Sequence, residues 1–245
     1  KSSAASTKIG LIGYSGGSIG GEWASELAPK YAPELNIVGT AVGGMAVHLA
    51  HNLKYINGSK DWSGVIPAVL VALGRAFGVN MHKYESAYGK KVTHEVRNQC
   101  IGSFNGNYPG LTIQKLLKHR YRHFLKIPVV ARIVNKLIMG STPGHPTMPM
   151  MMGVGNHDGT GDDVMIVKDA AALAREYCKQ GVPIDFHVYK GSAHTPAGLK
   201  FLPAAMLYLQ ERFLGVKAPS SCGKLPAGNS LAPLKIHHKK KHHKG

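Results

Sequence analysis

The stretch Lys8–Gly21, KIGLIGYSGGSIGG, places a short apolar run directly before a cluster of glycines. The run Lys8–Tyr14 has the length and composition of a buried strand, and the glycines mark a sharp turn after it. From Glu22 to Tyr31, apolar residues recur at helical spacing. The stretch therefore predicts a strand, a tight turn and a helix in immediate succession.

Strands and helices continue to alternate in the rest of the chain. A second buried strand is expected at Asn36–Val42, where two glycines follow it, and a third at Met148–Val154. A helix, a strand and a helix come next: Val167–Gln180, Ile184–Tyr189 and Pro203–Phe213. This alternation is typical of a parallel sheet with helices on both faces, so we expect an α/β fold.

A long interval separates the second and third predicted strands. It contains helical pieces such as Val65–Phe77 and Leu111–Leu137, joined by loops, and it lacks the rhythm of short strands. We therefore expect a mostly helical insertion that caps the core, and a basic, disordered C-terminal tail. We expect a core of residues 1–44 and 147–216, a cap of residues 45–146, and a tail of residues 217–245.

The composition is that of one compact globular body. Of the 245 residues, 44% are hydrophobic and 18% are charged. The formal net charge of +17 favours contact with anionic surfaces, and much of the excess lies in Lys115–Lys136 and in the tail, Lys235–Lys244. The basic residues are not interleaved with stacking aromatics, and no zinc-finger or RNA-recognition pattern is present. We therefore expect no nucleic acid partner.

The cysteines and the apolar runs bear on the compartment. Cys100, Cys178 and Cys222 are too few and too far apart for a zinc ribbon or a disulfide-dense scaffold. In an exported protein, one disulfide and one cysteine with a partner elsewhere would be the natural arrangement. No apolar run reaches the ~18 residues of a membrane span, and the N-terminal KSSAASTK has no signal-peptide core.

The turn after the first strand fits the pattern G-x-S-x-G, as Gly13-Tyr14-Ser15-Gly16-Gly17. In a strand–turn–helix setting, this pattern exposes a strained serine, and we expect the flanking glycines to avoid collisions with adjacent elements. Ser15 is the candidate nucleophile, and the Gly16 amide at the helix start is the candidate oxyanion donor. The plainer alternative is a glycine-rich turn that merely starts a helix.

An acid and a histidine follow the serine on loops after later strands. The loop Gly155–Asp163 offers Asp158, Asp162 and Asp163, and Asp169 lies just beyond it; aspartates at such places often serve only as turn or cap residues. His194 follows the predicted strand Ile184–Tyr189, whereas its rival His187 lies inside that strand. The order serine, acid, histidine is that of α/β-hydrolases.

These residues predict acyl transfer by nucleophilic catalysis. His194 would take the Ser15 proton, Ser15 would attack an acyl carbonyl, and the acid would hold the imidazole. We expect no metal or organic cofactor to be needed. Four tail histidines could chelate a divalent metal but are more typical of a solvated run: His237, His238, His242 and His243.

Three segments resemble the secretory lipases of the lipase A type, within the α/β-hydrolases: Gly13–Gly39, Asp158–Phe186 and Ala193–Gly215. The resemblance favours Asp162 as the acid. It implies hydrolysis of carboxylic esters, including long-chain acylglycerols, by a secreted enzyme whose cap forms the acyl tunnel. Lipid or small-ester substrates and transient contact with a lipid interface follow from the same resemblance.

Members of this family carry strands before the nucleophile strand, and those strands supply a second oxyanion donor. The chain therefore resembles the C-terminal part of such a protein, and we expect the upstream strands to be lacking. Without that donor, activity would fall about 10²- to 10³-fold. The resemblance also implies a Cys178–Cys222 disulfide and a partner for Cys100 upstream.

Two other functions fit parts of the pattern. A serine peptidase of the prolyl-oligopeptidase kind uses the same residue order, but no acidic residues mark a site for a peptide amine. A catalytically silent protein would instead hold anionic surfaces through the basic tail, with a vestigial triad.

Overall fold

The computed structural model describes residues 6–236. Within this range the chain forms two compact units. Unit 1 comprises the residues up to Leu49 together with Ile138–Leu231. Unit 2 comprises Ala50–Leu137 together with the residues from Ala232 onward.

In chain order, the described residues form these strands and α-helices: β1 (Lys8–Tyr14), α1 (Gly16–Tyr31), β2 (Asn36–Gly43), α2 (Leu49–Tyr55), α3 (Val65–Phe77), α4 (Ala87–Val96), α5 (Ile101–Phe104), α6 (Ile113–Leu116), α7 (Pro128–Lys136), β3 (Met150–Asn156), α8 (Val167–Lys179), β4 (Ile184–Lys190) and α9 (His194–Phe213). Unit 2 also contains 3₁₀ turns: Met81–Lys83, His119–Tyr121 and Phe124–Lys126.

The four strands form one parallel sheet in unit 1, in the order β1-β2-β3-β4. Tyr14 lies opposite Gly43, Gly43 opposite Gly153, and Gly153 opposite His187. The carboxyl ends of the strands therefore meet at one edge of the sheet, where α/β proteins place their functional loops. This confirms the predicted parallel α/β fold.

Helices cover both faces of the sheet because alternate residues of each strand point to opposite sides. On β2, the Thr40 hydroxyl lies 2.9 Å from that of Ser25 on α1. The next residue, Ala41, belongs to a buried cluster with Phe201 and Leu209 of α9. Helix α1 packs on β1 and β2, α8 on β3 and β4, and α9 on β1, β2 and β3.

A buried polar cluster joins α1 to α8. The Tyr177 hydroxyl donates to Glu22 and, at 3.0 Å, to Glu26. Glu26 also accepts the Gly140 amide and the Thr142 hydroxyl, each at 2.5 Å. Burial and the neighbouring Glu26 raise the pKa of Glu22 well above its ordinary value. Two carboxyl groups thus share a water-excluded site, a condition that favours a protonated form.

The helical unit is shorter at both ends than the predicted insertion 45–146. Met45 and Val47 are buried, and the Val47 carbonyl accepts the Met139 amide at 3.0 Å. These contacts assign the residues flanking Ala50–Leu137 to unit 1. The boundary differs because apolar residues next to a loop give no sign of which unit they will contact.

Two helices begin earlier than their sequence patterns indicate. Helix α1 starts at Gly16 rather than near Glu22, since glycines weaken the helical signal without preventing a helix. Helix α9 starts at His194, nine residues before the predicted start at Pro203. Proline is favoured in a first turn, so Pro203 resembled a helix start, but here it lies inside a helix.

Unit 2 is helical, but its helices are short. The predicted helix Val65–Phe77 has the observed bounds of α3. The predicted helical stretch Leu111–Leu137 is instead divided into α6, two 3₁₀ turns and α7. Pro128 starts α7 because proline lacks the amide needed inside a helix but fits its first turn.

The stretch after α9 has no regular structure over the described part, yet hydrogen bonds connect its first half to other residues of unit 1. The Ser221 amide donates to Ile184 at 2.6 Å, and the Asn229 amide donates to Lys168 at 3.0 Å. For this part of the chain, these contacts contradict the prediction of a disordered tail from residue 217. Residues 237–245, with the tail histidines, lie outside the described residues.

One of the two cysteine pairings implied by the resemblance is present, and the upstream partner of Cys100 stays a prediction. Cys178 at the end of α8 forms a disulfide with Cys222. Cys100 is an exposed free thiol among the described residues. No helix within residues 6–236 is long and apolar enough to cross a bilayer.

Candidate active site

Ser15 occupies the sharp turn between β1 and α1. Its backbone has φ 55° and ψ −119°, a strained conformation for a residue with a side chain. The Ser15 amide donates to the Gly43 carbonyl at 2.9 Å, which ties the turn to the end of β2. This hydrogen bond thus holds the strained backbone conformation in place, and the conformation leaves the Ser15 hydroxyl above the carboxyl edge of the sheet.

The glycines around Ser15 have different roles. A Cβ at Gly13 would lie 2.2 Å from the Gly17 carbonyl oxygen, so the turn requires glycine there. A Cβ at Gly16 or Gly17 would meet nothing within 4 Å. The predicted collisions on both sides of the serine are therefore right for Gly13 and wrong for Gly16 and Gly17.

His194 is the first residue of α9, and its imidazole lies beside Ser15. Its Nε2 is 2.8 Å from Ser15 Oγ, and the side chain is almost fully buried. A Cβ at Gly44 would lie 2.9 Å from His194 Cε1, so the ring needs glycine at the end of β2. The helix start and this close backbone contact fix where the imidazole lies.

Asp162 lies between β3 and α8 and is fully buried. Its Oδ2 is 2.8 Å from His194 Nδ1. Its Oδ1 accepts the amides of Val164 at 3.1 Å and Met165 at 2.6 Å. These amides orient the carboxylate and compensate for its loss of water. Asp162 thus contacts the imidazole on the side opposite Ser15.

The two rival aspartates of the same loop have other hydrogen-bond partners. Asp163 lies 2.9 Å from Nδ1 of His157, a partly exposed pair, and this hydrogen bond raises the pKa of His157. Asp158 accepts the amides of Thr160 at 2.8 Å and Gly161 at 2.9 Å. Asp158 therefore serves the turn, as the plainer interpretation expected.

The remaining rivals also lie in other contacts. Asp169, in the first turn of α8, accepts a 2.7 Å hydrogen bond from the Asn229 side chain. His187 lies within β4, 2.9 Å from Asp185, and this contact raises the pKa of His187. The structure therefore brings together Ser15, Asp162 and His194.

Gly16 lies at the N-terminus of α1, beside the candidate nucleophile. The first amides of a helix have no acceptor within the helix, and the helix dipole is positive at this end. Gly16 is exposed, and a Cβ there would meet nothing within 4 Å. This geometry suits an oxyanion donor.

The sequence interpretation missed Tyr14, the residue directly before Ser15. Its hydroxyl donates to the His194 carbonyl at 2.6 Å, and its ring lies 5.2 Å from the imidazole. Burial and the charge of Asp162 raise the pKa of the Tyr14 hydroxyl. A Cβ at Gly198 would lie 2.7 Å from this ring. The signal in the sequence that could have identified Tyr14 was its place, as an aromatic residue, inside the G-x-S-x-G pattern.

The three contacting side chains form a path for a proton from a hydroxyl to an imidazole backed by a carboxylate. No group of three or more histidine, cysteine, aspartate or glutamate side chains that could hold a metal occurs among the described residues. The four tail histidines fall outside that range.

The first strand of the parallel sheet turns sharply into a helix at a strained serine, and the candidate acid and histidine follow in that order. This arrangement defines the class of α/β-hydrolases. The sequence profile of the secretory lipases matches residues 1–221. The chain belongs to the secretory lipase family.

Individual relatives agree with this assignment. A secreted triacylglycerol lipase of Malassezia restricta is 31% identical over 224 residues, which are 85% of this chain and 45% of the relative. A Mycobacterium tuberculosis protein named "Probable inactive lipase" is 28% identical over 215 residues, 85% of this chain and 46% of the relative. The chain spans about half the length of the curated relatives it matches.

A solved structure gives the same result for the fold. Candida antarctica lipase A superposes with a TM-score of 0.80 at 25% identity, over 92% of this chain and 53% of the other. The expected partial α/β-hydrolase fold and the resemblance to secretory lipases are both confirmed.

Proposed function

We propose that this chain hydrolyses carboxylic esters, with Ser15 as nucleophile, His194 as general base and acid, and Asp162 as the residue that orients the imidazole. The observation that carries the proposal is the continuous contact from Ser15 Oγ to His194 Nε2 and from His194 Nδ1 to Asp162 Oδ2, each 2.8 Å long. Both distances are within hydrogen-bonding range.

In the first half-reaction, His194 Nε2 accepts the Ser15 proton while Ser15 Oγ bonds to the acyl carbon of the ester. The carbonyl oxygen becomes an oxyanion, which the Gly16 amide stabilises at the N-terminus of α1. When the intermediate collapses, the alcohol leaves with the proton that His194 returns to it. The acyl group stays on Ser15 as an ester.

In the second half-reaction, His194 takes a proton from water, and the resulting hydroxide adds to the acyl carbon. Collapse of this intermediate returns the proton to Ser15 and releases the carboxylic acid. Throughout, the Asp162 carboxylate accepts the Nδ1–H of His194 and stabilises its charged form. The buried position of Asp162 and its two backbone donors support this role.

We propose acylglycerols and related long-chain esters as the substrate class. Support comes from the family and from the relative named a triacylglycerol lipase. We propose secretion on the same grounds, and the Cys178–Cys222 disulfide is consistent with an oxidising compartment.

The test is labelling of the full 245-residue chain with a fluorophosphonate probe, followed by peptide mapping. We expect covalent labelling at Ser15 in the parent and none in Ser15→Ala. Ser103→Ala, an exposed serine on α5, is the matched control and should be labelled like the parent.

Substrates then separate the possible outcomes. Turnover of long-chain esters without turnover of matched amides supports an ester hydrolase, and preference for amides points to a peptidase. A parent with a native circular dichroism spectrum that neither labels nor hydrolyses any ester contradicts the proposal. That result would instead favour a catalytically silent protein.

A further inference from the structure

Unit 2 carries a strong and one-sided charge. Residues 50–137 contain 14 Lys and Arg against three Asp and Glu, a net charge of +11. No acidic residue occurs between Glu95 and Asp158. The most basic part, Lys115–Lys126, reads KLLKHRYRHFLK and includes two 3₁₀ turns. None of the three residues proposed for ester hydrolysis lies in this segment.

A cavity of about 220 Å³ opens at this basic segment, and all of its lining residues belong to unit 2. Its apolar wall includes Leu53, Ile113 and Phe124, each at most 8% exposed. Pockets for drug-sized molecules measure about 300 to 1,000 Å³, so this cavity suits a slender chain better than a bulky group.

Basic side chains surround the same cavity: Lys54, Arg122, His123 and Lys126. All four are exposed. Arg122 contacts His119 at 3.4 Å, which supplies no negative charge, and none of the four forms an ion pair with another described residue. No carboxylate is present among the described residues that line the cavity. These basic side chains are therefore open to an anion from outside the chain.

We propose that this cavity binds a single-chain anionic amphiphile, namely a long-chain fatty acid. The apolar wall would take part of the acyl chain, and Arg122 and Lys126 would hold the carboxylate by charge-assisted hydrogen bonds. The site does not depend on Ser15, because its lining residues are confined to unit 2. Its occupant is nevertheless the class of acid that ester hydrolysis would release.

The test is calorimetric titration of the full-length Ser15→Ala protein with palmitate below its micellar concentration. We expect one site per chain. The double variant Arg122→Gln/Lys126→Gln should bind at least tenfold more weakly because two charge-assisted contacts are lost. Arg132→Gln/Lys136→Gln removes the same charges from exposed positions on α7 outside the cavity and should bind palmitate like the parent.

Other results would overturn the proposal. Equal weakening in both double variants would mean attraction to the overall field of unit 2. Equal binding of hexadecanol would mean an apolar cavity without carboxylate recognition. Binding to phosphatidylserine vesicles without binding to monomeric palmitate would identify a membrane surface instead. No palmitate binding by a protein with a native circular dichroism spectrum and melting transition would also refute the site.

Discussion

Units 1 and 2 have nearly opposite characters. Residues 1–49 and 138–231 contain 11 Lys and Arg against ten Asp and Glu, a net charge of +1, whereas residues 50–137 carry +11. Unit 1 contains the whole parallel sheet and the contacting serine, aspartate and histidine. Unit 2 has short helices and the basic cavity. This difference agrees with the two proposals, in which unit 1 provides the fixed geometry for ester hydrolysis and unit 2 provides the charge for binding an anionic lipid.

The largest expected effect tests whether the chemistry depends on one carboxylate of unit 1. Asp162→Asn should lower kcat for a soluble short-chain ester about 10⁴-fold, because the imidazole loses its orienting carboxylate. The neighbouring Asp163→Asn should change kcat less than about threefold, since Asp163 contacts His157 instead. Steady-state kinetics on both variants measure this difference. Equal losses in the two variants would refute the assignment of the acid.

The next effect concerns the cysteines of the two units. Cys178→Ser/Cys222→Ser opens a disulfide with a sequence separation of 44 and should lower the free energy of unfolding by about 2 to 4 kcal/mol. Cys100→Ser in unit 2 should change it by less than about 0.5 kcal/mol, because that thiol is exposed and unpaired among the described residues. Urea denaturation measures both. A large effect at Cys100 would contradict the comparison.

A smaller effect should appear in binding to anionic vesicles. Lys115→Gln/Arg120→Gln in unit 2 should weaken binding about thirtyfold, since each of the two basic residues contributes about 1 kcal/mol near such a surface. Lys30→Gln/Lys190→Gln in unit 1 should weaken it less than about threefold, because acidic residues balance the charge of that unit. Vesicle sedimentation at low salt provides the measurement. Similar losses in the two double variants would show that only the total charge matters.

The smallest effect comes from the buried carboxyl pair of unit 1. Folding raises the pKa of Glu22, so above its ordinary pKa the folded state binds more protons than the unfolded state, and stability falls as pH rises. Glu22→Gln cannot titrate and should show a smaller decrease in Tm between about pH 5 and about pH 8. The exposed Glu34→Gln should keep the parental slope. An unchanged slope in Glu22→Gln would exclude this source of pH dependence.

The sequence predicted unit 1 better than unit 2, and for a physical reason. Buried parallel strands are apolar runs that glycine-rich turns delimit, so β1 was predicted with its observed bounds. The same turns located Ser15 and His194. In unit 2, α3 was predictable from its apolar periodicity, but the breaks within Leu111–Leu137 depend on packing that no local pattern records.

The limits of prediction at the site follow from long-range contact. Four aspartates near the end of β3 shared the same local chemistry, and only the three-dimensional fold shows that Asp162 reaches His194. Tyr14 was missed because its partner is 180 residues away in sequence. The roles of these residues in catalysis stay predictions.

The position of unit 2 in the sequence, between two strands that are neighbours in the sheet, also has a consequence for folding. β2 ends at Gly43 and β3 begins at Met150, yet Thr40 lies opposite Met150 in the sheet. This pairing raises the contact order, because the paired residues are more than 100 positions apart in the sequence. The chain must therefore close a long loop before the hydrogen bonds between β2 and β3 form. Collapse of the intervening helices would shorten that loop and reduce its closure entropy. The insertion would then act as an internal tether that helps the sheet to assemble.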